Sequence, residues 1–146
     1  MGLPSNAGVN IRRKGFAHER ELAVRLYREG FAVIRAPASG SRVVRLYYPD
    51  ITAIYRGRIL AIEVKSMSYL RDVYIEERKI RRMNDFASRS GGKPYLAVKV
   101  IGTGEWRVIP LDVGERTPSG YYRYNKNLIE SSKTIEELVN EVKSLQ

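Results

Sequence analysis

Apolar residues recur at helical spacing in three stretches of the chain. The first predicted helix runs from about Gly15 to Glu29, and the second from about Glu76 to Ser90, which Gly91-Gly92 terminates. The third begins at Thr134, where the segment Thr134-Ile-Glu-Glu137 has the pattern of a capping box. These patterns predict helices at the beginning, the middle and the end of the chain.

Apolar runs of strand length lie between these helices. The predicted strands are Phe31–Arg35, the two arms of a hairpin over Asp50–Lys65, the short Val73–Ile75, Pro94–Val100 and Glu105–Ile109. Residues 111–133 are predicted to be rich in turns. The order of elements predicts an α/β fold, a single domain whose mixed central β-sheet is flanked by helices. We expect residues 1–14 to form a flexible basic N-terminal arm and residues 15–146 to form the folded domain.

The hairpin carries the most informative pattern in the chain. Two apolar runs flank Arg56-Gly57, a two-residue connection typical of a β-hairpin. Closing the hairpin there sets Asp50 opposite Glu63, and Lys65 shares their face because side chains alternate with a period of two. Opposed side chains lie about 4.5–5.5 Å apart at Cβ, so two carboxylates there favour a cation between them. Lys65 and a bound Mg²⁺ are both candidates, and an ordinary solvated face is the alternative.

A third carboxylate lies on the apolar side of the first predicted helix. Glu19 falls in the middle of an arc of apolar residues, made of Phe16, Leu22, Ala23, Leu26 and Tyr27. Burying a carboxylate without a partner is costly. Glu19 is therefore expected to be paired with an arginine or bound to a metal, and the pattern leaves both possibilities open.

The charge of the chain points to a polyanionic partner. Its 146 residues include 26 Lys or Arg against 16 Asp or Glu, a net charge of +10. Nucleic acid is the first candidate, and an anionic membrane surface or RNA in a large particle are the alternatives. One side of the second predicted helix is rich in arginine and either tracks phosphates or is merely solvated. Its members are Arg78, Arg81, Arg82 and Arg89.

Composition also restricts the location and the chemistry. Cysteine is absent, which excludes disulfides, thiolate metal sites and cysteine nucleophiles. No apolar run approaches the roughly 20 residues that span a bilayer. The first residues also lack the apolar region of a signal peptide. We therefore expect a cytoplasmic protein that does not enter the membrane.

The hairpin residues belong to a longer series of motifs. Pro49-Asp50, Glu63 and Lys65 match the PD-(D/E)XK pattern of metal-dependent nucleases. The full series, in chain order, is His18–Leu22, Gly30–Ser41, Pro49–Ile51, Ile62–Ser66, Ser90–Gly92 and Ala97–Lys99. From about Lys14 to Pro110, this succession closely resembles the archaeal Holliday junction resolvases, the Hjc family.

The resemblance implies a restriction-endonuclease-like core and a homodimeric endonuclease. Such an enzyme resolves four-way DNA junctions by paired symmetric nicks, with Mg²⁺ as cofactor and Mn²⁺ as a substitute. Residues 15–146 would then be the nuclease domain. The residues implied in catalysis are Glu19, Ser39, Asp50, Glu63 and Lys65. Of these, Glu19, Asp50 and Glu63 would hold the metal.

Further residues are expected to contact DNA or to join the dimer. The resemblance assigns four residues to activity, substrate contact or structure: Arg20, Arg35, Phe86 and Lys99. The basic character of the chain adds expected phosphate contacts from Arg12, Arg13, Lys14, Arg42 and Arg45. Phe86 and the tyrosine cluster of Tyr121, Tyr122 and Tyr124 are candidates for a hydrophobic dimer interface. Two alternative functions remain: another nuclease of this superfamily that cuts linear or flapped DNA, and an architectural nucleic-acid-binding protein without catalysis.

Overall fold

The computed structural model describes residues 4–37 and 46–145, with residues 4–15 as backbone only. In chain order the elements are α1 (Pro4–Arg28), β1 (Ala32–Arg35), β2 (Ile51–Tyr55), β3 (Arg58–Met67), β4 (Val73–Glu76), α2 (Glu77–Ser90), β5 (Lys93–Val100), β6 (Glu105–Pro110), a 3₁₀ turn (Leu111–Val113), β7 (Glu115–Arg116), β8 (Tyr121–Tyr124), α3 (Lys126–Glu130) and α4 (Ile135–Ser144).

The central sheet has five strands in the order β1-β2-β3-β5-β6. Its neighbours are antiparallel except β3 and β5, which run parallel because β4 and α2 form the crossover between them. The predicted mixed sheet flanked by helices is therefore confirmed. A second, three-stranded sheet, in the order β4-β8-β7, is an addition that the sequence pattern does not predict.

Helices cover both faces of the central sheet, and each face has its own apolar cluster. On one face α1 and α4 pack on the sheet through side chains that include Leu22 and Leu138. On the other face α2, α3 and the small sheet contribute side chains that include Met83 and Ile129. Because β3 lies between the two layers, its residues Leu60–Glu63 are buried. Glu63 thus lies in the interior although its side chain is polar.

The register of the hairpin is the one that the sequence predicts. Tyr55 pairs with Arg58, and the pairing continues without a bulge to Ile51 and Ile62. Arg56 and Gly57 have φ angles of 47° and 84°, the left-handed conformation that a tight two-residue hairpin turn of type I′ requires. The turn therefore fixes which side chains of β3 face those at the start of β2.

Helix α1 differs from its prediction at both its start and its buried side. It begins at Pro4 instead of about Gly15, since proline is well accommodated in a first helical turn and is absent from the rest of the helix. Phe16 and Tyr27 are exposed, so the predicted apolar arc is too wide. Both lie at the edge of that arc, and only the strip around Leu22 and Leu26 reaches the sheet.

The ends of the other long helices agree with the sequence pattern. Gly91 follows α2 in the left-handed conformation, with φ of 74°. At the start of α4, the Thr134 hydroxyl accepts from the Glu137 N–H and the Glu137 carboxylate accepts from the Thr134 N–H, which confirms the capping box. None of the helices in residues 4–37 and 46–145 is long and apolar enough to cross a membrane.

The segment predicted to be turn-rich is more ordered than expected. It contains β7, β8 and α3, and β8 pairs with β4 so that Tyr124 lies opposite Val73. The Tyr124 side chain is fully buried and its hydroxyl donates to the Leu111 carbonyl at 2.5 Å. Tyr124 is therefore a core residue of the chain, so its predicted role in a dimer interface is wrong. The pairing of β8 with β4 directs the Tyr124 side chain into the interior.

Candidate active site

The hairpin brings Asp50, Glu63 and Lys65 together. Asp50 lies just before β2, where its Oδ2 accepts a hydrogen bond from the main-chain N–H of Val64 at 2.9 Å. This bond fixes the carboxylate beside the neighbouring Glu63. Lys65 lies two residues further along β3, and its Nζ is 3.5 Å from Glu63 Oε2. The predicted register thus produces a pair of carboxylates with a lysine next to them.

The site opposes the ionisation of Asp50. Burial raises the pKa of Asp50, the nearby Glu63 raises it further, and the Val64 N–H opposes both, so that the pKa is about 7. A carboxyl group with so high a pKa sits in a site that disfavours a second negative charge. A cation bound between the carboxylates would relieve that repulsion.

A second lysine, Lys79, joins the site from α2. Its Nζ lies 2.6 Å from Glu63 Oε2, closer than the Nζ of Lys65. Burial lowers the pKa of Lys79, but the charge and hydrogen bond of Glu63 outweigh burial and raise the pKa overall. The sequence pattern did not single out Lys79, because only the arginines of this helix were considered as basic residues. The available signal was spacing, since Lys79 precedes the apolar Met83 by four residues and so shares its side of the helix.

Two buried polar atoms at the site lack a hydrogen-bond partner among the described residues. They are Glu63 Oε1 and the hydroxyl of Tyr47. Burial raises the pKa of the Tyr47 hydroxyl and the charges of Glu63 and Asp50 raise it further, so the hydroxyl stays protonated. The Tyr47 ring packs edge-on against Phe86, with centroids 6.3 Å apart. A buried acceptor and a buried donor without partners indicate room for a bound group.

Glu19 approaches the site from α1. Its side chain is only 13% exposed, and its Oε1 lies 4.0 Å from the Arg35 guanidinium, which also donates to the Phe16 carbonyl at 3.2 Å. Burial raises the pKa of Glu19, Arg35 lowers it, and the charge of Glu63 raises it, with a net increase. Of the two possibilities that the sequence leaves open for Glu19, the structure shows the pairing with an arginine, and binding to a metal stays a prediction.

The carboxylates fit a divalent cation through Asp50 and Glu63. Within residues 16–37 and 46–145, no three His, Asp or Glu side chains lie close enough together to hold a metal ion by themselves. The structure therefore does not place Glu19 beside the pair as a third direct ligand, because α1 holds it at longer range. Mg²⁺ commonly uses one or two carboxylates and completes its shell with water and phosphate oxygens. The unpartnered Glu63 Oε1 is a suitable donor for such an ion.

Lys99 lies in a different environment from the one expected of a DNA contact. Its Nζ is 2.6 Å from Glu21 Oε1, and the Trp106 indole N–H donates to the same oxygen at 3.2 Å. The Lys99 side chain is 13% exposed. Its charge is thus used within the chain, where it joins α1 to β5.

The other predicted DNA contacts divide into exposed and undescribed residues. Arg20 is exposed on α1, and Arg35 is partly exposed beside Glu19. Ser39, Arg42 and Arg45 lie outside the described residues. For Arg12, Arg13 and Lys14 only the backbone, within α1, is described.

Comparison with known proteins identifies relatives of this chain. A family model for the archaeal Holliday junction resolvase (Hjc) matches residues 10–146. Crossover junction endodeoxyribonuclease Hjc of Sulfurisphaera tokodaii is 40% identical over 131 residues, which cover 90% of this chain and 89% of that protein. The protein of the same name from Sulfolobus acidocaldarius is 36% identical over 134 residues, 92% of each. The structure of Archaeoglobus fulgidus Hjc, a Holliday junction resolvase, matches with a TM-score of 0.75 and 31% identity, covering 86% of this chain and 99% of that one.

Proposed function

The chain belongs to the archaeal Holliday junction resolvase (Hjc) family, and on that premise we propose that it resolves four-way DNA junctions as a crossover junction endodeoxyribonuclease. The observation that carries the proposal is the pair formed by the partly buried Asp50 and the buried Glu63, with one Glu63 oxygen that has no described partner and two lysines alongside. Such a site attracts a divalent cation and a phosphate group. The reaction is hydrolysis of one phosphodiester in each of two strands.

Asp50 and Glu63 would hold Mg²⁺, with Mn²⁺ as a substitute. Bound there, the cation would supply Lewis-acid chemistry at the phosphodiester and lower the pKa of a water molecule. The Asp50–Val64 hydrogen bond orients one carboxylate, and the interior position of Glu63 in β3 restricts the other. The protein thus contributes a rigid pair of oxygen donors.

The basic side chains at the site would contact the DNA strand. Lys65 is 42% exposed, so its ammonium reaches solvent while its stem stays beside Glu63. We assign it to the scissile phosphate or to the attacking water, since a lysine ammonium is a compact, mobile charge. Arg35 is partly exposed and would bind a neighbouring phosphate, with Glu19 fixing its position. Ser39, in the segment between β1 and β2, remains a proposed participant on resemblance alone.

Two symmetric cuts require two active sites, which a homodimer provides. A four-way junction has approximate two-fold symmetry, and a C₂ dimer presents equivalent sites to two strands of the same polarity. Phosphate contacts by arginines on α2 would supply affinity without reading base sequence. Junction selectivity would then come from the shape of the bound DNA.

The experiment uses three labelled substrates: a four-way junction, a linear duplex and a flap. Each is incubated with and without Mg²⁺, using the wild-type protein, Glu63→Ala, and Glu130→Ala as a control on an exposed glutamate of α3. We expect paired nicks on the junction alone, dependent on Mg²⁺, lost in Glu63→Ala and retained in Glu130→Ala. Cleavage of the duplex or flap would favour another nuclease activity, and tight binding without cleavage would favour an architectural role.

A further inference from the structure

Glu63 has two lysine partners although the PD-(D/E)XK pattern accounts for one. Lys65 and Lys79 both approach Oε2, at 3.5 and 2.6 Å, whereas Oε1 has no partner among the described residues. Lys65 comes from the same strand as Glu63, but Lys79 comes from α2. The shorter contact is thus made by a residue outside the hairpin.

The surroundings of Glu63 explain why a second cation is needed. The Glu63 side chain is 2% exposed, and the Asp50 carboxylate lies beside it. Desolvation of the ionised group and repulsion from its neighbour both oppose the fold. The Lys79 ammonium, at hydrogen-bond distance, offsets both effects. In the absence of a bound metal ion, Lys79 is the principal cation at this carboxylate.

Lys79 is fixed at its backbone but not at its tip. The following residue, Ile80, is buried against the sheet together with Met83, which anchors this turn of α2. The side chain of Lys79 is nevertheless 39% exposed. Its long, flexible stem allows the ammonium to leave Glu63 without a movement of the helix.

A basic pocket lies next to this ammonium. It has a volume of about 320 Å³ and is lined by Tyr47, Glu76, Arg78, Lys79 and Arg82. With three basic groups against one carboxylate, the lining carries an excess of positive charge, which favours a phosphodiester. The pocket adjoins the acidic pair, because Lys79 lines the pocket and also contacts Glu63.

We propose that Lys79 is a positioning residue that holds Glu63 in the metal-free protein and passes to a backbone phosphate in the adjacent basic pocket when a divalent cation takes over the carboxylate. This inference rests on the proposed function, because the phosphate belongs to bound junction DNA. It assigns Lys79 a contact with DNA only in the metal-loaded protein. The two lysines then have different roles, since Lys65 stays beside the reacting group.

The first test measures metal binding without DNA. MnCl₂ is titrated calorimetrically into the wild type, Lys79→Met, Lys79→Arg and Arg81→Met, the last removing an exposed charge from the same helix. Removing a cation that competes for Glu63 should tighten Mn²⁺ binding by at least roughly threefold in Lys79→Met. Lys79→Arg and Arg81→Met should remain close to the wild type. Unchanged Mn²⁺ affinity in Lys79→Met would overturn the inference.

A second measurement keeps the inference testable if Lys79→Met is poorly stable. Thermal unfolding of Lys79→Gln and the wild type is followed with and without MnCl₂. The variant should unfold at a lower temperature without metal and gain more from MnCl₂ than the wild type does, because metal binding replaces the missing charge. An equal gain in both proteins would show that Lys79 is purely structural.

The third test separates the DNA contact from the metal effect. Junction binding is measured for wild type and Lys79→Met in EDTA and in CaCl₂. We expect the variant to lose affinity roughly threefold or more in CaCl₂, where Lys79 would contact phosphate, and little in EDTA. An equal loss of junction affinity in EDTA and in CaCl₂ would contradict the proposed transfer of Lys79 from Glu63 to a phosphate. A wild type that bound Mn²⁺ but cut no junction would instead refute the proposed function, so the two failures are distinguishable.

Discussion

The carboxylate of Asp50 accepts a hydrogen bond from the main-chain N–H of Val64, and this contact places it beside the side chain of Glu63. One residue at the start of β2 is thereby tied to the strand that carries the other acid. The arrangement favours metal binding and disfavours the metal-free fold. Burial and the charge of Glu63 raise the pKa of Asp50 to about 7, so the metal-free site opposes the ionised form of this carboxyl group.

Stability of the metal-free protein should fall as the pH rises towards neutrality. The folded-state pKa of Asp50 lies above its unfolded value, so the folded protein binds an extra proton between them. That contribution to stability is complete below the unfolded pKa of about 4 and is lost as the pH passes about 7. Urea unfolding in EDTA at a series of pH values should show this decline for the wild type.

Asp50→Asn supplies the matched variant for this effect. Because the amide carries no charge, the variant should be more stable than the wild type in EDTA at about pH 8, by roughly 1–2 kcal/mol, and should lose the corresponding pH dependence. It should also lose junction cleavage. If the wild type were the more stable protein at that pH, the proposed repulsion between Asp50 and Glu63 would be refuted.

The sequence was sufficient for the acidic pair because its determinants are local. A two-residue turn fixes the register, and strand alternation fixes the faces, so Asp50 and Glu63 follow from residues within one hairpin. The ends of α2 and α4 were likewise predictable, from Gly91 and from the capping box at Thr134. The central sheet follows from the order of these elements.

The rest of the site depends on tertiary packing that no local pattern contains. Lys79 reaches Glu63 only because α2 crosses the sheet at this place, and Tyr47, from the segment before β2, lies near the site because its ring packs on Phe86 of α2. Lys99 pairs with Glu21 on α1 for the same kind of reason. The small sheet around Tyr124 was also missed, because its strands are short and separated by turn-like sequence.

Tyr47→Phe should lower the rate of cleavage without weakening the fold. The hydroxyl is buried near the acidic pair, and its removal breaks no hydrogen bond to a described residue. In the proposed DNA complex it would donate to a phosphate or an ordered water. We expect kcat to fall roughly tenfold, a typical range for a lost hydrogen bond that acts in the transition state.

The comparison variant is Tyr74→Phe, since Tyr74 is exposed on β4. Single-turnover cleavage of the junction and thermal unfolding are measured for both variants. Equal cleavage by Tyr47→Phe and the wild type would contradict the role assigned to the hydroxyl, and a large loss of stability would show that the hydroxyl has a structural partner.

Tyr124→Phe should have the opposite profile. The Tyr124 hydroxyl donates to the Leu111 carbonyl at 2.5 Å inside the second apolar cluster, so its removal breaks a buried hydrogen bond. The free energy of unfolding should decrease by about 1–3 kcal/mol. Cleavage by the folded fraction should be unchanged, because this tyrosine takes no part in the acidic site. Chemical denaturation and junction cleavage at a temperature well below the transition check both statements.

Arginines on α2 should differ in their contribution to DNA binding according to whether they already have a partner. Arg78 and Arg82 line the basic pocket and make no ion pair with a described residue, whereas Arg89 is bound to Asp85 at 2.9 Å. Replacing a phosphate-binding arginine should reduce the slope of log K against log[salt] by about 1. We therefore expect that reduction in Arg78→Gln and Arg82→Gln, and a smaller one in Arg89→Gln. Junction binding measured between about 50 and 200 mM salt in CaCl₂ tests the difference. Slopes equal to that of the wild type in all three variants would mean that the arginine side of α2 is solvated rather than bound to DNA.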